Sequence, residues 1–306
     1  WITRAGSIRC CKPANRNLRA NQMASSFIAA CVQLNAKREV DANLPDIRAG
    51  ILDAAGQGAS FITTPECTAM MEPDSDRLRT ATPGEDRHPT LDLVQSLASE
   101  TGAWILLGSA AILLDDGKIA NRSYLFDGDG NVRATYDKIH MFDVELGDGQ
   151  HYRESATYAP GSEAVLSQLP WGNLGMTICY DLRFPYLYRT LAHAGADFLA
   201  IPAAFTKVSG EAHWHVLQRA RAIETGCYVI AAAQCGTHAE DRKTFGHSLI
   251  VDPWGKVLAD AGEDVGVITA EIDTAQVFEA RSKIPALTHD RPIAAPARKA
   301  PVRAAE

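Results

Sequence analysis

Alternating apolar positions mark a series of short strands, and segments with helical spacing separate them. Phe27-Ile28-Ala29-Ala30-Cys31-Val32 predicts a first strand reaching Gln33. Residues 41–56 follow, with apolar side chains at 44, 47, 51, 54 and 55, the spacing of one helical face. Ala59-Ser60-Phe61-Ile62-Thr63-Thr64 reads as a short buried strand ending at Pro65-Glu66, and residues 71–90 as a polar, mobile loop. A helix over 90–100 leads into a strand over 103–110. Strands 120–126 and 132–136 flank the hairpin signal Asp127-Gly128-Asp129-Gly130. Leu174, Met176 and Ile178 alternate as a strand, an Asp-Leu-Arg-Phe-Pro turn follows, and residues 186–195 read as a helix stopped by Gly195. Beyond it come a strand (197–202), a loop carrying Phe205, Lys207 and Ser209, a helix (211–226) and a strand (228–233). Strands at 245–251, 256–259 and 265–271 and a helix at 273–283 complete the pattern.

Strands and helices alternate at α/β spacing with no linker between them, so one α/β domain over residues 23–290 is expected. Residues 1–22 hold five basic side chains (Arg4, Arg9, Lys12, Arg16, Arg19), no acid and no apolar core. They are expected to lie outside the fold, as sequence ahead of a start at Met23 or as an Arg-rich transit peptide. The Pro/Ala-rich stretch 291–306 is expected to be a flexible tail.

Composition narrows the function. A net charge of −7 argues against nucleic acid or an anionic membrane as partner, and no run of 18 apolar residues is present. The seven cysteines (10, 11, 31, 67, 179, 227, 235) are odd in number and scattered, as expected of free thiols in a reducing, cytoplasmic compartment. No C-x-x-C supports zinc. A calcium loop from Asp127 fails at Val132 and Lys138. His213 and His215, two apart on a helix, do not face one another and lack a third ligand by spacing, so no metal is expected.

Cys179 falls at a strand-to-helix turn. There it is either a buried core thiol or a nucleophile whose thiolate is favoured by nearby backbone N–H groups. Glu66 and Lys138 also follow short strand-like runs. If those strands are neighbours, the three side chains converge on acyl-transfer chemistry: a sulfur nucleophile, a carboxylate proton carrier and a cation for the oxyanion.

The flanks carry a resemblance over about Ser26 to Pro292. Pro65-Glu66, Tyr136-Asp137-Lys138-Ile139-His140 and Thr177-Ile178-Cys179-Tyr180-Asp181 resemble, in that order, the Glu, Lys and Cys motifs of the nitrilase superfamily of carbon–nitrogen hydrolases. The resemblance implies a four-layer α-β-β-α sandwich, self-association as a homodimer or larger homo-oligomer, and no cofactor. It also implies a catalytic role for Glu66, Lys138 and Cys179, a substrate-positioning glutamate at Glu154, and an oxyanion-binding backbone N–H at Tyr180. The stretches 210–225, 231–236 and 246–255 resemble the branch that includes deaminated glutathione amidase. Arg183, Phe205 and Ser209 match that branch's substrate-binding positions, with Ser209 where Thr is usual. The implied reaction is hydrolysis of a small-molecule amide through a Cys acyl-enzyme. Deaminated glutathione, giving 2-oxoglutarate and cysteinylglycine, leads. An ω-amidase acting on 2-oxoglutaramate, an N-carbamoyl amino acid hydrolase and a catalytically silent binding scaffold are the alternatives.

Overall fold

The computed structural model describes residues 26–145 and 151–295. In chain order its first half comprises β1 (Ser26–Gln33), α1 (Val40–Gly56), β2 (Phe61–Thr63), α2 (Ser75–Ala81), α3 (Pro89–Thr101), β3 (Trp104–Leu113), β4 (Ile119–Phe126) and β5 (Val132–Asp137). Four short strands follow: β6 (Asp143–Glu145), β7 (His151–Arg153), β8 (Tyr158–Ala159) and β9 (Val165–Leu169). The second half adds β10 (Gly172–Met176), α4 (Pro185–Ala194), β11 (Phe198–Ala200), α5 (Lys207–Thr225), β12 (Tyr228–Ala231), β13 (Cys235–Thr237) and β14 (Lys243–Phe245). It ends with β15 (Leu249–Val251), β16 (Val257–Asp260), β17 (Gly266–Asp273) and α6 (Ala275–Lys283).

Two sheets form the centre. One runs β17-β1-β2-β3-β4-β5, with β8 added beside β4; the other runs β16-β15-β12-β11-β10-β9. In each, a parallel trio (β1-β2-β3 and β10-β11-β12) is built by helix crossovers, and antiparallel strands close the edges. The period-two pattern of β1 explains the layering. Phe27, Ala29 and Cys31 face the second sheet, while Ala30 and Val32 face Ile47, Ile51, Val94 and Leu97 of α1 and α3. On the far side, α4 and α5 cover the second sheet with Leu187, Leu191, Trp214 and Ala222. The result is the expected four-layer α-β-β-α sandwich. Each fully buried Leu or Phe in these seams contributes about 1.5–3 kcal/mol.

Three local readings change. The stretch 71–90 is not an open loop: it holds α2, capped by Asp74, and its Met71 and Leu78 are buried. Not all of its charges face solvent unpaired: Glu72 pairs with Arg38 and Arg77 (2.7 and 3.2 Å). The single strand expected over 245–251 is two, because Gly246 and His247 both take left-handed φ values (74° and 55°). Helix α5 begins at Lys207, so Ser209 sits in its first turn and not in a loop. Residues 1–22 lie outside the described residues, as do 296–306 of the expected tail.

Candidate active site

Glu66, Lys138 and Cys179 lie just beyond the ends of β2, β5 and β10, so strand ends from both sheets meet at one place. Glu66 is turned inward by a tight contact behind it. A Cβ at position 108 in β3 would fall 2.0 Å from the Thr64 carbonyl oxygen, so glycine alone lets the two backbones run so close. Ser109 then ties down the turn, its Oγ accepting from Cys67 N at 2.9 Å. Lys138 donates its N–H to Asn121 O (3.0 Å) and accepts from Gly161 N (2.8 Å).

Cys179 opens a short 3-10 turn (Cys179–Arg183) with φ at 48°. A left-handed non-glycine residue costs about 1–3 kcal/mol and persists only where its surroundings enforce it. Here the enforcement is visible. Cys179 N donates to Pro202 O at 2.9 Å. The buried Asp181 carboxylate accepts from Ile178 N (2.8 Å), the Tyr136 hydroxyl (2.7 Å) and His140 N (3.0 Å). The Tyr180 N–H donates to no group among the described residues, so it stays available to an oxyanion beside the sulfur.

The charged groups form one buried unit. Lys138 Nζ, with its residue 2% exposed, donates to Glu66 Oε1 (2.8 Å) and to both oxygens of Glu154 (2.9 Å each). Asn121 Nδ2 bridges Glu66 (3.0 Å) and Glu154 (3.3 Å), while Ala204 N donates to Glu66 Oε2 at 2.9 Å. Burial acts most strongly on Glu66 and pushes its carboxyl upward. The Lys138 charge and hydrogen bond, a hydrogen bond with Cys179 and the Arg242 charge outweigh it and hold Glu66 below the ordinary glutamate range. Burial alone would lower Lys138, but Glu154 and Glu66 raise it well above the usual lysine value. Both groups are therefore charged at neutral pH.

The thiol behaves otherwise. Burial first, then the Glu66 charge, push Cys179 well above the ordinary thiol range, against the lowering by Lys138. The expected stabilised thiolate is not what the resting site holds. The hydrogen-bonded pair is a thiol next to a carboxylate, an arrangement suited to proton transfer during attack.

These residues line a cavity of about 390 Å³ together with Tyr152, Tyr158, Phe205, Ser209 and Arg242. Phe205 and Ser209 thus stand at the cavity, and the Ser209 hydroxyl is paired with Thr206 Oγ1 (2.7 Å). Arg183 does not line the cavity. Its guanidinium lies 5.0 Å from the Phe205 ring centre and contacts His213 Nδ1 at 3.2 Å. It pairs with neither Asp181 nor Glu224, the latter being held by Arg221 (2.8 Å). His215 does find partners that spacing could not disclose: its Nε2 and His247 Nδ1 each contact Asp260 at 2.9 Å, which anchors α5 to the following strands. Asn121, Asp181 and Arg242 were not anticipated at the site. Asn121 and Asp181 join it through contacts that sequence spacing does not reveal.

The carbon–nitrogen hydrolase family model matches residues 28–282. A deaminated glutathione amidase from Yersinia enterocolitica is 40% identical over 86% of this chain and 92% of its own length. The human protein of the same name is 37% identical over 94% of this chain and 89% of its own. Among solved structures, the C. elegans NitFhit protein superposes with a TM-score of 0.82 at 34% identity. It covers 88% of this chain and 66% of that one, just under two thirds of its length. Saccharomyces cerevisiae Nit3, a member of branch 10 of the nitrilase superfamily, gives a TM-score of 0.77 at 29% identity, covering 85% of this chain and 94% of that one. The chain belongs to the carbon–nitrogen hydrolase family and is a hydrolase of carbon–nitrogen bonds other than peptide bonds.

Proposed function

We propose that this enzyme hydrolyses deaminated glutathione to 2-oxoglutarate and cysteinylglycine through a thioester on Cys179. The buried contact of Lys138 with Glu66 at 2.8 Å, next to the Cys179 thiol, carries the reading. As Cys179 Sγ bonds to the amide carbon, its proton passes to the ionised Glu66. The carbonyl oxygen takes the negative charge and is held by Lys138 Nζ and the Tyr180 N–H. Glu66 then gives the proton to the departing nitrogen as the C–N bond breaks, leaving the acyl group on sulfur. A water deprotonated by Glu66 attacks this thioester, the C–S bond breaks as Glu66 returns the proton to Cys179 Sγ, and the acid leaves. Glu154 orients Lys138 by its two hydrogen bonds and also accepts from Phe142 N at 2.6 Å.

The relatives' shared name supports the substrate, as does a cavity of small-molecule size. The reading includes self-association: Tyr186, Val216, Ile223 and Phe278, on α4, α5 and α6, are each more than half exposed. It also includes a cytoplasmic setting, supported by five described cysteines that are all free. Among the described residues no helix is long and apolar enough to cross a membrane. The test is 2-oxoglutarate release from deaminated glutathione and 2-oxoglutaramate in parallel. A kcat/KM at least about tenfold higher for the first is expected. The reverse order would make the enzyme an ω-amidase.

A further inference from the structure

Two arginines line the cavity without taking part in the proton transfers or holding the oxyanion: the exposed Arg153, and Arg242, whose charge helps keep Glu66 ionised. The cavity's three carboxylates are all matched: Glu66 and Glu154 by Lys138, and Glu72 by Arg38 and Arg77. Arg242 also lines the cavity, and among the described residues its guanidinium makes no ion pair and donates no hydrogen bond. Its Nε is shielded from solvent and unpartnered, and its Cζ lies 5.7 Å from the centre of the Tyr152 ring. Guanidinium is always charged, and shielding its Nε–H from water without an acceptor is costly.

The chain around Arg242 holds it there. Glu240 and Asp241 take left-handed φ values of 55° and 56°, a strained pair immediately before it. The buried His238 fixes the loop from both ring nitrogens, contacting Ala36 O at 2.9 Å and Thr244 Oγ1 at 2.7 Å, and its N–H donates to Arg242 O at 2.8 Å. The nearby acid Glu240 is turned away and engaged by Arg38 and Arg77. The loop thus presents a cation to the cavity and keeps its own glutamate away from it.

We propose that Arg242 binds a carboxylate of the substrate and selects amides that carry an acid group. The proposal rests on the amidase reading for its substrate, but not for its test. A planar fork with free donors in a partly dry site is suited to bidentate carboxylate binding, each charge-assisted bond being about twice as strong as a neutral one. Arg183, packed on the Phe205 ring and in contact with His213, lies outside the cavity lining.

The experiment is calorimetric binding of the two product halves, 2-oxoglutarate and cysteinylglycine, to the full chain and to Arg242→Gln. Neither needs turnover, so a protein that binds through Arg242 yet hydrolyses nothing would keep this inference and lose the proposed function. Affinity for at least one half should fall about tenfold to a hundredfold, and that half identifies the carboxylate held. In turnover, KM should rise with kcat little changed. Arg242→Met, which keeps the stem beside Tyr152, should show the same loss and serves if the Gln variant does not fold. Failure of both halves to bind the wild type, or unchanged affinity in the variants, overturns the proposal. Unchanged affinity with a shifted acid limb of kcat would assign Arg242 to the field around Glu66 instead.

Discussion

Cys31 and Cys179 are both buried thiols in the seam between the sheets. Burial is the largest influence on each, pushing Cys31 up to about 12 and Cys179 well above its ordinary range. Their surroundings differ. Cys31 lies within β1, receives a hydrogen bond from Thr63 Oγ1 at 3.5 Å and meets Leu249 O at 3.8 Å, with no charged group beside it. Cys179 sits on a left-handed turn at the wall of a cavity, next to an ionised carboxylate, a buried ammonium and an unused backbone N–H. Acidity does not separate the two. What separates them is a base within reach and room for a carbonyl.

Substitution breaks the comparison most sharply at sulfur. Cys179→Ala should lower kcat by at least about 10⁴-fold with the fold intact, as steady-state hydrolysis and circular dichroism would show. Near-wild-type turnover would sink the mechanism. Lys138→Ala should cost roughly 10²–10³-fold in kcat if Lys138 holds the oxyanion, whereas a rise in KM alone would move it to substrate binding. Cys31→Ala should leave turnover within about twofold of wild type and cost about 1–2 kcal/mol in denaturant unfolding, the effect of a small cavity in the seam.

A smaller effect concerns acid stability. His88 and His238 are held below the usual 6.5 chiefly by burial, so the unfolded chain takes up protons first as pH falls. Their contribution is fully present above 6.5 and is lost as pH falls through their folded values. Glu66, held below 4.5, acts in the same direction further down. The denaturant midpoint should therefore fall between about pH 8 and about pH 5, and His238→Gln should flatten part of that fall. A midpoint that rises on acidification would reverse the sign of this account.

Strand periodicity is enough to place Glu66, Lys138 and Cys179 just past strand ends, and the order of their motifs, through the family resemblance, groups the three. The layering was legible for the same reason, since alternate residues of β1 divide between two seams. What was not legible depends on distance along the chain. Asn121 lies 55 residues from Glu66 in sequence, and nothing in an interior strand asparagine announces that it will bridge the Glu66 and Glu154 carboxylates. Arg242 gains meaning only when the cavity's three carboxylates are found paired with other cations. Residues 71–90 were misread because composition cannot tell solvated charges from paired ones covering Met71 and Leu78. The break at Gly246-His247 was hidden inside a largely apolar run, where only φ reveals it.

On the proposed mechanism Cys179 reacts because Glu66 takes its proton, not because the thiol is acidic. The direct measurement is the rate of Cys179 alkylation by iodoacetamide as a function of pH, in the wild type and in Glu66→Gln. With Glu66 ionised throughout, the wild-type rate should stay nearly flat from about pH 6 to about pH 8. Removing the base should restore the climb of roughly tenfold per pH unit that a thiolate-dependent reaction shows. A wild-type rate that climbs in that way, matched by Glu66→Gln, would contradict the claim.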